Sequence, residues 1–243
     1  MASRHAKSGH EAKKEGIEAL KQNHREEAGI FFYNALDHFE SIEEIAERRD
    51  ELGTFGLFLD RVGYPDMALM AAQAAVELDK KMGYKRQLAE DTNTCGNAHL
   101  HLGNNDEALS LYRQALKICL ENGDFDNAAS ASTNIALIIG NRGEMSEAIK
   151  MMYKSLEYID KKPNPSTEII TRIALTQALE VEGRKPFEVF SVACPIARFA
   201  NRLRPDQWEG LRGPLEQTVS RYIRCHPEAS AQSVKQEYLP NIF

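Results

Sequence analysis

Apolar and small residues recur along the chain at helical spacing, in blocks of about one helix each. Ala12, Gly16, Ala19 and Leu20 share one face, and Ala28, Phe32, Ala35, Leu36 and Phe39 share the next. Ile45, Leu52, Phe55, Gly56 and Leu59 follow, then Ala68, Ala72, Ala75 and Val76 from Pro65. The blocks continue as Leu88 to Leu102, Ala108 to Leu116, Asp124 to Arg142 and Met145 to Tyr158. The pattern predicts an all-α fold built from helix pairs. Ser8 with Glu11, and Ser41 with Glu44, match the capping box and predict helix starts there.

The blocks are in register with one another. Gly63, Gly103, Gly143 and Gly183 stand 40 residues apart, and so do Gly16, Gly56, Gly96 and Ala136. Ala28, Ala68, Ala108 and Ala148 form a third train, and Ala35, Ala75, Ala115 and Ser155 a fourth. A fixed period in small residues marks a stacked-repeat architecture. Gly83 and Gly123, again 40 apart, suit the left-handed residue that closes a helix. Asn23-His24 falls where later units place their turn glycine. Gly16, Gly56, Gly96 and Ala136 on first helices, and Ala28, Ala68, Ala108 and Ala148 on second helices, are the expected close-packing positions.

These residues resemble the tetratricopeptide repeat. The likeness rests on Cys95-Gly96-Asn97-Ala98-His99, Gly103, Asp106-Glu107-Ala108, Tyr112 and Ala115-Leu116. It recurs in Ile135-Ala136, Gly143, Glu147-Ala148-Ile149 and Leu156, and in Phe55-Gly56, Gly63, Ala68 and Ala75. The resemblance implies a right-handed α-α superhelical solenoid of antiparallel helix pairs. The unit of 40 residues exceeds the family's usual 34 or so. It is similar to the longer units of cell-polarity adaptors that bind G-protein alpha subunits, of kinesin light chains and of bacterial peptide-sensing regulators. The expected layout is a flexible N-terminus at 1–7, repeats over 8–203 (four clear, the fifth degenerate), a capping helix at 204–227 and a tail at 228–243. Pro195 should kink or split the helix that starts near Phe187, and Tyr238, Leu239, Ile242 and Phe243 make the tail apolar enough to dock.

Charge adds little to this picture. The formal charge of −6 speaks against general nucleic-acid binding. Seven acids lie between Asp37 and Glu51, against Arg48 and Arg49. Eight bases lie between Arg184 and Arg224, against four acids. These read as solvated helix faces, or as poles that permit head-to-tail self-association or the holding of an acidic partner. Cys95, Cys119, Cys194 and Cys225 contain no Cys-x-x-Cys pair, consistent with free thiols in a reducing compartment. No apolar run reaches the length of a membrane span and no signal core begins the chain, so the cytoplasm is expected, without membrane insertion.

In the family the first helix of each pair lines a concave groove. The resemblance places Asn93, Asn97, His101, Ser130, Thr133, Asn134, Asn141 and Gln177 on that face. Asn97 and Asn134 fall where family members hold an extended peptide by its backbone, since a carboxamide both donates and accepts; the same residues also suit ordinary inter-repeat hydrogen bonds. The carboxylate clamp of the co-chaperone type is not matched, because its basic positions are Asn93, Ile170 and Ala174. His99 and His101 point to different faces and do not form a metal pair. No phosphate loop or nucleophile elbow occurs, so no catalysis, metal or cofactor is expected. The expected role is an adaptor or scaffold that binds a peptide segment or helix of another protein during complex assembly. The alternative is a signalling regulator that senses a short peptide in the same groove.

Overall fold

The computed structural model describes residues 3–193, 195–196 and 205–225. The tail at 228–243, Cys194, His226 and the side chains of Trp208, Leu211 and Leu215 lie outside the described residues. Among the described residues there are eleven α-helices and no strand. They divide into two compact units, Met1–Asn127 and Ala128–Phe243.

The first unit holds α1 (Arg4–Lys21), α2 (Arg25–Glu40), α3 (Ile45–Val62), α4 (Pro65–Met82), α5 (Lys85–His101) and α6 (Asn105–Asn122). Each odd helix packs on the even helix that follows, and α4 also packs on α5. The pairs are antiparallel because the turns are too short for anything else. Gly63, Gly83, Gly103 and Gly123 all have positive φ, and so does Asn23 at 63°. After each, an amide reaches back five residues: His24 N to Ala19 O, Tyr64 N to Leu59 O, Tyr84 N to Asp79 O, Asn104 N to His99 O and Asp124 N to Cys119 O, at 2.8–3.0 Å. This closure satisfies carbonyls that a helix end leaves open.

Two expected helix starts move. α1 opens before Ser8, because Ser3 is its N-cap and accepts from Ala6 N at 3.1 Å. The extra turn buries Ala6 and seats Gly9 against the Phe39 ring. Ser41 ends α2, donating its hydroxyl to Asp37 O at 2.8 Å. Glu44 itself caps α3, accepting from Ala46 N and Glu47 N.

The core of the first unit is aromatic at one end and small at the other. Phe39 meets Phe55 edge-on at 5.2 Å between centroids, and Phe32 meets Phe58 at 5.4 Å and Tyr64 at 5.2 Å. Gly16 makes room for Phe32, and Gly96 for Tyr112, where an added Cβ would stand 2.6 Å from the ring. Gly56 instead faces Ala68, Ala71 and Ala72, and a Cβ added there would stand 3.2 Å from Ala72 N. The small residue on the first helix thus serves either a buried ring or a close backbone approach. For Gly96 that ring is Tyr112.

The second unit contains α7 (Phe125–Asn141, from Ala128 onward), α8 (Met145–Lys161), α9 (Pro165–Val181), α10 (Pro186–Ala193) and α11 (Pro205–Cys225). α8 packs on α9, α9 on α10 and α10 on α11. Gly143 and Gly183 close α7 and α9 with positive φ, as their counterparts do in the first unit. Pro163 replaces a glycine of the 20-residue rhythm, and Asn164 caps α9 by accepting from Thr167 N at 3.0 Å. α10 stops at Ala193, two residues before Pro195, as proline requires. Phe190 stacks on Tyr222 at 4.1 Å, and Arg221 pairs with Glu180 at 3.2 Å, tying α11 to this end.

Candidate functional site

Asn93, Asn97 and His101 stand four residues apart on α5 and share one helix face. Asn97 is held at both ends of its carboxamide. Its Oδ1 accepts from Tyr112 OH at 2.8 Å, and its Nδ2 donates to Asp60 Oδ2 at 3.3 Å. Asp60, on α3, is 8% exposed. The His101 Nδ1 lies 3.0 Å from Asp60 Oδ1, an ion-pair distance without the alignment of a hydrogen bond. Burial raises the Asp60 carboxyl above its ordinary range, while His101 and Asn97 pull it back. Asn97 therefore joins α3, α5 and α6 and orders the base of this face. His101 is the exposed member.

Asp60 is the residue that sequence reasoning missed. A signal existed: its register partners one and two units on are Leu100 and Gly140, so a carboxylate is foreign to that position.

In the second unit, Asn141 and Gln177 come together on a cleft of about 230 Å³. Its walls are Ala136, Leu137, Gly140, Met152, Ala174 and Ala178, from α7, α8 and α9. Val181, 74% exposed, extends the apolar surface at its edge. Small-molecule pockets start near ~300 Å³, so this cleft suits one or two side chains of a chain-like ligand. The carboxamides at the rim can each donate to and accept from a peptide unit.

Thr133 does not belong to any surface face. It is 2% exposed, and its hydroxyl lies 2.8 Å from Ser155 Oγ and 2.7 Å from Thr171 Oγ1 while donating toward Ala129 O at 3.0 Å. Three helices share this buried hydroxyl cluster, and it explains why serine replaces alanine at the end of the fourth train. Ser130 and Asn134 are half-buried on α7 and take no part in the cleft lining. His99 is half-buried too, with Asn104 Nδ2 3.3 Å from its Nδ1.

The thiols of Cys95 and Cys119 are pushed up to about 12, chiefly by burial. They stay protonated at neutral pH and are poor nucleophiles. Among the described residues, no three His, Cys, Asp or Glu side chains are grouped to hold a metal ion. None of the described helices is long and apolar enough to cross a membrane.

No protein-family model matches the chain, and no curated protein matches its sequence. Solved structures do match. Aspartyl phosphate phosphatase F from Bacillus subtilis is similar with a TM-score of 0.71 at 14% identity, over 91% of this chain and 60% of that one. The chain thus spans about three fifths of that protein's length. The Rap conjugation gene regulator of the plasmid pLS20, solved with a peptide, gives 0.55 at 16% identity over 96% and 72%. A putative kinesin light chain from Podosopora anserina with nearly identical TPR-like repeats gives 0.55 at 15% identity over 80% and 94%. With its helix pairs, its 40-residue register and these neighbours, the chain has a helical-repeat fold of the tetratricopeptide type.

Proposed function

We propose that this chain is a protein-interaction module that binds an extended peptide or helical segment of a partner protein and acts as an adaptor in complex assembly. The observation that carries this reading is the apolar cleft of α7, α8 and α9 with Asn141 and Gln177 at its rim. An apolar floor contributes burial, and rim carboxamides hold a peptide backbone without reading its side chains. Asn93 and His101 on the α5 face, with Asn134 on α7, are further candidates. Asn97 contributes by ordering its neighbours. The working location is the cytoplasm, and the partner is a protein rather than nucleic acid or membrane.

Peptides selected on the wild-type chain from a phage-displayed random library provide the probe. Asn141→Ala with Gln177→Ala should weaken their binding at least about tenfold, the loss of ~1.4 kcal/mol, and leave the melting temperature unchanged. Equal affinity in the double variant would remove the cleft from the reading.

A second reading is a regulator that senses a short free peptide. It is favoured by the peptide bound to the similar conjugation gene regulator. A selected peptide that changes the small-angle scattering profile of the chain supports the regulator. A profile that stays the same with peptide bound supports the adaptor.

A further inference from the structure

Three buried charges meet where α3, α4 and α5 converge. Arg49, on α3, donates from Nε to Asp79 Oδ1 at 2.5 Å and from Nη2 to Asp79 Oδ2 at 3.4 Å. The same Nη2 donates to Asp91 Oδ2 at 2.5 Å. Relative exposures are 7% for Arg49, 0% for Asp79 and 4% for Asp91. Gly53 is cut to fit, since a Cβ there would lie 3.0 Å from Asp91 Oδ2 and 3.3 Å from Arg49 Nη1.

The fold does not require ions at this joint. One unit further on, the same register positions hold Ala89, Cys119 and Ala131; two units on, they hold Ala129, Ile159 and Thr171. Ala129 and Thr171 belong to the neutral hydroxyl cluster of the second unit. Neutral side chains therefore serve elsewhere in the same chain, and the ionic version is particular to this seam.

One guanidinium cannot balance two carboxylates that are removed from water. We propose that Asp91 is held as the neutral acid between Arg49 and Asp79, and that this proton locks the α3–α4–α5 seam, which loosens as it is lost. Burial raises Asp91 to about 8, and the Asp79 carboxylate adds to this against the pull of Arg49. The surrounding charges keep that sense. On α3, Asp50 is largely exposed and accepts from Arg49 Nη1 at 3.3 Å. On α5, Glu90 raises Asp91 further, and the Cys95 thiol stays neutral. On α4, Lys80 pairs with Glu77 and acts on the Cys95 thiol, which it lowers.

The sign follows from linkage. The folded carboxyl lies above its unfolded value of about 3.9. Its stabilisation is complete below that value, is lost as pH climbs toward about 8, and changes no further above it. Within that window each pH unit removes up to about tenfold from the folding constant.

The test uses the full chain. Asp91→Asn keeps an acceptor for Arg49 and supplies a permanent donor toward Asp79, so it imitates the protonated acid. Its melting temperature should come closest to wild type near pH 4 and exceed it by about 5 °C or more at pH 8 to 9. A variant that is less stable by the same amount at every pH overturns the proposal. Carbon-13 NMR of aspartate-labelled wild type decides independently of how the variant folds. One aspartate carboxyl titrating near pH 8 supports the lock, and complete titration of all aspartates below pH 6 sinks it.

Discussion

Asn23 and Gly96 show how much one atom decides. Asn23 occupies the left-handed conformation at φ 63°, where Gly63, Gly103, Gly143 and Gly183 stand in later units. Asparagine tolerates that region better than most residues but less well than glycine. Asn23→Gly should therefore raise stability by about 0.5 kcal/mol, since relief of a Cβ clash outweighs the added freedom of the unfolded chain. A urea midpoint lower than wild type would refute this. Gly96→Ala sets two effects against each other. Alanine improves helix propensity by ~1 kcal/mol, but its methyl would stand 2.6 Å from the buried Tyr112 ring, which has no open side to move into. Overpacking typically costs ~1–3 kcal/mol, so net destabilisation is expected in urea unfolding, with Asn97 losing its Tyr112 hydrogen bond. The glycine trains were readable from the sequence because both uses exclude Cβ. Which glycine faced a ring and which faced a backbone was not, since that depends on the opposing helix.

Between elements, hydrogen bonds decide what periodicity leaves open. A repeat of 20 residues sets most helix ends, yet Glu43 and Pro163 interrupt it, and Glu44 and Asn164 cap the next helices with their side chains instead. The Ser41–Glu44 pair signals a boundary correctly but puts the cap on the wrong residue, because Ser41 bonds backward to Asp37. Its place in the repeat assigns Thr133 to the surface. It is buried because Ser155 and Thr171 offer it hydroxyl partners from two other helices. Thr133→Val should cost about 1 kcal/mol, the usual worth of a buried hydrogen bond, since Ser155 keeps Ala129 O and Thr171 keeps Thr167 O as acceptors. Binding of the selected peptides should not change. Thermal unfolding with parallel titration checks both halves, and weaker binding would return Thr133 to the recognition surface.

At the scale of the whole molecule, helix pairs that cannot each bury both faces are stabilised by their neighbours. The chain nonetheless gathers into two compact units. The first carries the carboxamide–carboxylate network of Asn97 and Asp60 and the ionic seam of Arg49, while the second carries the neutral hydroxyl cluster and the apolar cleft. Of the expected surface residues, Asn141 and Gln177 meet on that cleft. Asn97 is drawn into inter-helix bonding, and Thr133 into the interior. The acid-rich stretch from Asp37 to Glu51 likewise splits, because its Arg49 turns inward while Asp50 stays in water. What the sequence alone determined was the class of fold, the length of the unit and nearly every helix end. Those depend on local sterics and on periodicity, which the linear order of residues records. Only the tertiary structure decided which polar residues face solvent and which satisfy one another, because a hydrogen bond or ion pair between residues some 40 apart depends on distances that no local pattern encodes.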